Sequence, residues 1–415
     1  MIEADPGTTA LYKRGLDTHD PSQNLVFAMH DLQIQSLAPG SHLDDLSDTQ
    51  LREMVKMVNS DFSNDGTVLT TGLFGYLKKL VTWSNMLAVY GPNNIIALDP
   101  SLFADFWEYE RGLPKLILGI TPWLIAPKAY HARKRLSKAL CEWMDKGYWN
   151  DASYWIQNRR RTFLHHGLTP RMAAQAELGM MFGILANAMP TTFWVISYIF
   201  ADPDLLRDIR AELENTDGII SVRNDGERVI SASALKTKTP LLNSVFRETL
   251  RVKAPNGSVR LVLEDTLIAN QYLLKKGSFV QIPGSMVHND AHIWGPDVQE
   301  FNPRRFEKSI SGMVVENGST GAAKKEKAVH PSAFRGFGGG SSLCPGRHFA
   351  QLEILGFTAM LVLAFEIGPV EGDKLVLPRP VEARLPLSVY RPEKDLMVNI
   401  WKRKGLEAVK WAFEK

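Results

Sequence analysis

The sequence predicts a mostly α-helical protein with small β-sheets. Apolar residues recur at helical spacing through most of the chain, and Asn, Ser, Asp or Pro introduce many of these runs. One stretch, residues 178–201, contains no charged residue at all. Runs typical of strands are short and lie at residues 259–263 and 279–282. At 415 residues the chain could form one large domain or two to three ordinary ones. No internal repeat is visible, and we expect a single domain over residues 1–415.

The composition is that of a globular protein. Hydrophobic residues make up 45% of the 415 residues and charged residues 22%, which allows a large core. A formal net charge of +3 is too small to indicate nucleic-acid binding. Two cysteines, Cys141 and Cys344, cannot form a disulfide framework, so a reducing compartment is expected. The N-terminus has neither signal-peptide character nor an anchor helix, and we expect no transmembrane anchor in this chain.

The first quarter of the chain predicts helices separated by turn residues. Residues 1–24 are rich in Gly, Pro, Asp and Thr and are expected to be irregular. Ser47-Asp48 has the composition of an N-cap, so we place a helix start there. The helices predicted in this part span residues 25–37, 48–58, 68–90 and 100–112.

Residues 113–138 combine an apolar segment with a basic one. Pro114, Gly119 and Pro122 interrupt the apolar part, so no long helix is expected there. It is either a buried connection or a lid that dips into a membrane surface. The basic part predicts the solvated face of a helix ending near Lys146, with anionic headgroups as an alternative partner. Peripheral membrane contact through residues 113–138 is therefore one hypothesis.

Residues 178–201 are long and apolar enough to span a bilayer. Polar or helix-breaking residues lie at the centre, among them Asn187, Pro190 and Thr191, and no second segment could pair with it. We therefore expect a helix buried in a soluble core. Pro190 should kink this helix and leave a backbone carbonyl without its usual N–H donor.

The second half of the chain combines shorter helices with the two strand-like runs. Pro203 and Pro240 occupy the first positions of predicted helices at residues 203–214 and 240–251. Residues 309–330, rich in Gly, Ser, Ala and Lys, predict an exposed low-complexity insertion.

Cys344 follows a loop with three consecutive glycines, residues 338–340, which could lie against a flat group. Pro345 suits the first position of the helix predicted by the apolar run at 349–365. A thiol at such a helix start is favoured as a thiolate, which an axial haem ligand requires. The alternative is an ordinary buried thiol, since free cysteines are often buried.

Phe337, Gly340, Cys344 and Gly346 have the spacing Phe-x-x-Gly-x-x-x-Cys-x-Gly. This spacing resembles the haem-binding loop of the cytochrome P450 superfamily. The resemblance implies the P450 fold and haem b with Cys344 as its thiolate ligand. Phe337, Gly340 and Gly346 would be cofactor-binding residues.

Glu248 and Arg251 are three residues apart and share one face of their helix. By themselves they could be a surface ion pair of little energetic value. Together with Arg305, however, they resemble the buried Glu–Arg–Arg network of this superfamily. Arg260 matches a position from which relatives contact a haem propionate. Ser342 replaces a basic residue that many relatives use for the same purpose, which shifts more of that role to Arg260.

The apolar helix departs from the usual superfamily pattern of a glycine, an acid and a threonine. Asn187, Met189 and Pro190 replace these three residues. The pattern resembles the branch with cholesterol 7-alpha-hydroxylase and prostacyclin synthase, which includes hydroxylases and a peroxide isomerase. Asn187 and Thr191 are therefore our candidate catalytic residues. The segment from His288 to Trp294 also resembles the superfamily, and we interpret it as structural.

The resemblance implies a haem-thiolate monooxygenase that oxidises a bulky apolar small molecule, such as a sterol, terpenoid or other specialised metabolite. It would use O2 and electrons from an NADPH-dependent flavoprotein reductase at the cytoplasmic face of the endoplasmic reticulum. A haem-thiolate isomerase or dehydratase acting on a peroxide without a reductase is an alternative. The resemblance begins near residue 20, so the anchor and the first strands and helices are expected to be missing. An inactive truncated paralogue is accordingly the third hypothesis.

Overall fold

The computed structural model describes residues 6–63, 66–310, 329–382 and 388–414. They belong to two compact units, which are described separately. The first unit comprises residues 1–236, 345–377 and 395–415, and the second comprises residues 237–344 and 378–394. Most of the predicted insertion at 309–330 lies outside the described residues. The single-domain organisation stays a prediction.

Helices dominate the first unit, as predicted. They are α1 Pro6–Lys13, α2 Leu25–Leu37, α3 Ser41–Asp61, α4 Leu73–Tyr90, α5 Ile95–Leu98, α6 Leu102–Ile117, α7 Pro122–Ile125, α8 Pro127–Asp145, α9 Tyr154–His165, α10 Pro170–Leu185, α11 Ala188–Ala201, α12 Pro203–Asn215, α13 Ala232–Lys238, which leads into the second unit, and α17 Arg347–Ala364. The core of this unit lies where α17 packs against α3 and α11, and where α4 packs against the same two helices.

Two three-stranded sheets complete the first unit. In one, β1 (Val68–Gly72) and β8 (Phe365–Pro369) flank β9 (Met397–Lys402), and both pairings are antiparallel. In the other, β3 (Arg228–Ser231) pairs antiparallel with β2 (Ile220–Val222) and parallel with the C-terminal strand β10, Trp411–Glu414. The C-terminal residues therefore contribute strands to both sheets.

The second unit carries α14 (Pro240–Lys253) and two small antiparallel sheets. Its other elements are β4 Gly257–Leu261, β5 Thr266–Ile268, β6 Tyr272–Leu274, β7 Phe279–Pro283, α15 Gly284–His288, α16 Ala291–Trp294 and two short 3-10 turns at Pro331–Ala333 and Gly340–Ser342. Strand β4 pairs with β7, and β5 pairs with β6. The mostly helical fold class with small sheets is confirmed.

Several predicted boundaries were wrong because tertiary burial overrides local composition. The first 24 residues contain α1, where only an irregular segment was expected. Helix α3 begins at Ser41 and not near Ser47, since Leu43 and Leu46 are buried and extend its apolar face. Helix α6 continues through Pro114 to Ile117, and strand β1 precedes α4.

The long apolar segment is interrupted at residues 186–187, which divides it into α10 and α11, as a kink caused by Pro190 would require. Pro190 has no N–H to donate to the carbonyl of Ala186, where the helix is interrupted. In the described part of the chain, Pro170–Ala201 is the one stretch whose length and hydropathy would suffice to cross a membrane, and most of it is buried in the first unit. Burial of this kind is also expected of a core helix.

A carboxyl group is buried at the centre of the first unit. Glu353 on α17 accepts a hydrogen bond of 2.7 Å from the side-chain amide of Asn85 on α4. Burial raises the pKa of Glu353 from 4.5 to about 8. The folded protein therefore keeps Glu353 protonated at neutral pH, which avoids a buried charge.

This carboxyl group predicts a pH-dependent stability. Folding takes up a proton at Glu353 between pH 4.5 and pH 8, so its contribution to the free energy of unfolding falls as the pH rises through this window. As the pH rises through this window, the free energy of unfolding of the Glu353→Gln variant should therefore increase relative to that of wild type, by at most roughly 1.4 kcal/mol per pH unit. Urea unfolding at several pH values measures this difference. The control is Glu371→Gln, which changes an exposed carboxylate. A constant difference between Glu353→Gln and wild type across the window would contradict the prediction.

Candidate functional site

Backbone hydrogen bonds shape the loop that carries Cys344. The N–H of Cys344 donates to the carbonyl of Phe337 over 2.9 Å. The N–H of Gly338 donates to the carbonyl of Arg335, also over 2.9 Å. The Phe337 ring lies 6.0 Å from the ring of Phe246 on α14. These contacts fix the loop within the second unit and leave the thiol of Cys344 half-buried.

The glycines of this loop are required by its geometry. Gly338 and Gly340 have φ values of +78° and +62°, in the left-handed region that favours glycine. A Cβ at Gly339 would lie 2.3 Å from Nη1 of Arg335. A Cβ at Gly340 would meet nothing within 4 Å, so the space beside this residue is open. The loop therefore presents bare backbone on the approach to Cys344, which suits a flat ligand.

Arg260 lies against this loop. Its guanidinium Nη2 donates to the hydroxyl of Ser342 over 2.6 Å, and Nη1 donates to the carbonyl of Val259 over 2.9 Å. The structure thus brings the predicted propionate-binding arginine to the residue that replaces the usual basic side chain. A guanidinium in this place can bind a carboxylate.

Gly346, the last residue of the motif, is the N-cap of α17 in the first unit. The helix begins at Arg347, so the prediction that Pro345 occupies its first position was wrong. Pro345 and Gly346 instead form a turn before the helix. The fixed φ of proline serves this turn as well as it would serve a helix start.

The three members of the predicted charged network are in contact. Arg251 donates from Nε and Nη2 to the two oxygens of Glu248, each over 2.8 Å. Arg305 donates from Nε to Oε1 of the same carboxylate over 3.1 Å. Glu248 is completely buried, and both arginines are nearly so. A surface ion pair is therefore excluded.

Sequence reasoning missed two features of this network. Asp297 accepts from Nη1 and Nη2 of Arg305, each over 3.0 Å, and these bonds lower the pKa of Asp297. In addition, Nη1 of Arg251 donates to the carbonyls of His288 and Val298 over 2.7 and 2.9 Å. Asp297 lies three residues after the segment from His288 to Trp294 that resembles the superfamily, and nothing in its spacing indicated an arginine partner.

The predicted catalytic residues lie together in the first unit. Thr191 is buried, and its hydroxyl donates to the carbonyl of Asn187 over 2.7 Å. Asn187 is half-buried in the interruption between α10 and α11. The Thr191 hydroxyl therefore keeps its oxygen as an acceptor while its proton is held by the backbone.

No group of three or more His, Cys, Asp or Glu side chains able to hold a metal ion is present among the described residues. Cys344 supplies a thiol beside a glycine loop. A thiol in this setting fits haem iron, because one protein sulfur can serve as its ligand.

Comparisons with known proteins agree with this geometry. A family model described as cytochrome P450 matches residues 151–398. The chain is 32% identical over 343 residues to cytochrome P450 monooxygenase nodJ of Hypoxylon pulicicidum. The aligned region covers 82% of this chain and 65% of that protein. The chain thus spans just under two thirds of this relative's length.

Two further similarities define how far the likeness extends. The human 7-alpha-hydroxycholest-4-en-3-one 12-alpha-hydroxylase is 25% identical over 372 residues, covering 86% of this chain and 72% of that protein. The likeness to the sterol hydroxylase branch is therefore distant. The structure of a retinoic acid-bound cyanobacterial CYP120A1 superposes with a TM-score of 0.67 at 21% identity, covering 97% of this chain and 84% of that one. This superposition supports the P450 fold.

Proposed function

Because this chain belongs to the cytochrome P450 family, we propose that it is a haem-thiolate monooxygenase of a bulky apolar small molecule, such as a sterol, a terpenoid or another specialised metabolite. Haem with iron is the expected cofactor of this family. The observation that carries the proposal is the half-buried Cys344 on a glycine loop. In this loop the N–H of Cys344 is bonded to the carbonyl of Phe337, and Arg260 is bonded to Ser342. The relative from Hypoxylon pulicicidum, named a monooxygenase, supports it.

Bound haem would supply O2 activation and O–O bond cleavage, promoted by electron density from a thiolate. Cys344 would provide the thiolate, and Arg260 would bind a propionate. Phe337, Gly340 and Gly346 would shape the loop against the ring. The network of Glu248, Arg251 and Arg305 would keep the second unit in the conformation that holds this loop.

We assign proton delivery to Asn187 and Thr191. The carboxamide of Asn187 has both donors and an acceptor, so it can hold a water molecule. The Thr191 hydroxyl oxygen can accept from that water while its own O–H donates to the Asn187 carbonyl. This arrangement would replace the acid and threonine that most relatives use.

Electrons would come from an NADPH-dependent flavoprotein reductase at the cytoplasmic face of the endoplasmic reticulum, with O2 and the apolar substrate as co-substrates. Pro190, which replaces the usual threonine, permits the second candidate, a peroxide isomerase or dehydratase. Reconstitution with a reductase separates the two. Product formation that requires NADPH and reductase supports the monooxygenase, whereas turnover of a peroxide with neither supports the isomerase.

The first experiment is the carbon monoxide difference spectrum of the reduced protein, residues 1–415. The strongly red-shifted band of thiolate-ligated haem supports the proposed function. Soluble, folded protein without a haem signal would support an inactive paralogue and overturn it.

An exposed apolar patch supports the proposed membrane contact. Its members, defined here as the lid patch, lie at the end of α6 and in α7 of the first unit: Ile117, Leu118, Ile120, Trp123, Leu124 and Ile125. Leu124 is 74% exposed and Trp123 is 58% exposed. Exposed lysines of α8, such as Lys128 and Lys134, follow directly and suit anionic headgroups.

Removing apolar surface from the lid patch should weaken vesicle binding. Each of Leu124→Ser and Trp123→Ser should lower the affinity for vesicles of mixed zwitterionic and anionic lipid about tenfold, because a buried side chain of this size contributes about 1.5–3 kcal/mol. Co-sedimentation with vesicles measures the partition. The control is Val222→Ser, which changes an exposed apolar residue of β2. Equal binding by the lid patch and control variants would contradict the membrane contact.

A further inference from the structure

We infer that His288 is a positioning residue for the haem-thiolate loop. Its Nε2 accepts a hydrogen bond from the backbone N–H of Arg335. This bond positions the segment of the loop that leads to Cys344. The inference rests on the proposed function, since it concerns the loop that would hold the haem. The sequence had placed His288 in a structural segment, without a role at the loop.

The contact is short, and its histidine side is completely buried. The Arg335 N–H donates to Nε2 of His288 over 2.8 Å, and the histidine has no exposed surface. A ring nitrogen that accepts a hydrogen bond carries no proton, so the proton of a neutral imidazole is on Nδ1. Burial lowers the pKa of His288 to about 4, which keeps the imidazole neutral at working pH.

Aromatic contacts fix the orientation of the ring. The His288 ring stacks on Phe334 with centroids 5.9 Å apart and meets the edge of Trp294 at 6.2 Å. The Trp294 indole N–H donates to the carbonyl of Val287 over 2.8 Å, which ties this contact to the neighbouring residue. With the ring held on two sides, Nε2 has a defined direction.

Two further backbone hydrogen bonds connect Arg335, whose N–H is bound by His288, to Cys344. The carbonyl of Arg335 accepts from Gly338, which closes the turn at the glycines. The carbonyl of Phe337, inside this turn, accepts from the N–H of Cys344. Each bond has a length of 2.9 Å. The position of the Arg335 amide therefore constrains the position of Cys344.

The same histidine connects this loop to the charged network. Its carbonyl accepts from Nη1 of Arg251 over 2.7 Å, so its backbone is held by the network and its side chain holds the loop. The Arg335 guanidinium also donates to the hydroxyl of Ser258 on β4 over 2.8 Å. These bonds give the loop entry two supports within the second unit, and His288 is the more deeply buried of the two.

The variants separate hydrogen bonding from packing. His288→Leu fills the site with an apolar side chain but removes the acceptor, which leaves the N–H of the half-buried Arg335 without this partner. His288→Gln can place its carbonyl oxygen near the site of Nε2 and should restore the bond. The matched control is His292→Leu, four positions along the chain, where the histidine is exposed.

Two readouts are compared in the haem-loaded protein. The first is amide hydrogen exchange in the peptide containing Arg335. The second is the thiolate signal, which is the fraction of haem with the red-shifted carbon monoxide band, followed over time. His288→Leu should speed exchange and loss of the thiolate signal about tenfold. His288→Gln should recover most of both, and His292→Leu should behave as wild type. The inference is overturned if His288→Leu exchanges like wild type, or if the Gln and Leu variants are equally impaired.

A measurement on the wild type covers the case in which His288→Leu does not fold. Nitrogen-15 NMR of histidine-labelled protein should show a buried ring with its proton on Nδ1, and the opposite tautomer would overturn the inference. If wild type shows the Nδ1 proton and a protected Arg335 amide but no thiolate-haem signal, the proposed function fails while the loop contact stands.

Discussion

Replacing Arg251 by alanine is expected to lower the free energy of unfolding of the second unit by about 3–5 kcal/mol. The substitution removes both bonds to the Glu248 carboxylate and leaves the carbonyls of His288 and Val298 without this donor. Glu248 would remain buried with its charge balanced by Arg305 alone. The loss is large because a buried carboxylate loses one of its two arginine partners while two carbonyls lose their donor in the same buried place.

Urea unfolding followed by hydrogen exchange in peptides of α14 and residues 284–306 measures the effect on the second unit itself. The matched control is Arg304→Ala, next to Arg305 in the chain. Arg304 pairs with Glu307 over 2.8 Å at the surface, and such a pair contributes about 0–1 kcal/mol. Arg251→Lys should stay impaired, because an ammonium cannot make two parallel bonds to a carboxylate. Similar losses for Arg251→Ala and Arg304→Ala would contradict the prediction.

The sequence predicted elements well where local signals and tertiary packing agree. Helix α2 runs from Leu25 to Leu37 as predicted, since Asn24 caps its start through a side-chain bond to the N–H of Phe27. Helix α14 begins at Pro240 as predicted, directly before the buried Leu241 and Leu242. In both, one residue type sets the boundary without help from distant parts of the chain.

Side-chain partners that are distant in sequence were not predictable. Arg159 on α9 forms a buried ion pair of 3.0 Å with Glu177 on α10. In the sequence it is one of three consecutive arginines, and nothing local distinguishes it from the other two. Tyr90 on α4 joins the same carboxylate over 3.2 Å. Only the packing of three helices decides which arginine is buried, and periodicity does not contain that information.

The candidate site divides in the same way. The spacing of Phe337, Gly340, Cys344 and Gly346 identified the loop, because a motif fixes residues relative to one another along the chain. The acceptor for the Arg335 amide came from His288, 47 positions away, and could be found only in the structure. A buried histidine next to a conspicuous motif indicates such a role only when its ring nitrogens can be placed.

Replacing Cys344 by alanine is expected to abolish the thiolate signal of the haem completely. The N–H of residue 344 still donates to the carbonyl of Phe337 in this variant, because that bond uses backbone atoms. The loop should therefore persist without its sulfur donor, and the loss reports on ligation and not on folding. Far-ultraviolet circular dichroism and the urea midpoint verify that the variant is folded.

The second cysteine provides the matched control. Cys141 on α8 is also half-buried, and burial raises the pKa of its thiol, so it is disfavoured as a thiolate. Cys141→Ala should keep the full red-shifted carbon monoxide band and the wild-type haem content. Loss of the band in Cys141→Ala with its retention in Cys344→Ala would assign the ligand to Cys141 on α8 and refute the haem site proposed here. Loss in Cys344→Ala alone would identify its thiolate as the axial ligand, since the remaining cysteine cannot replace it.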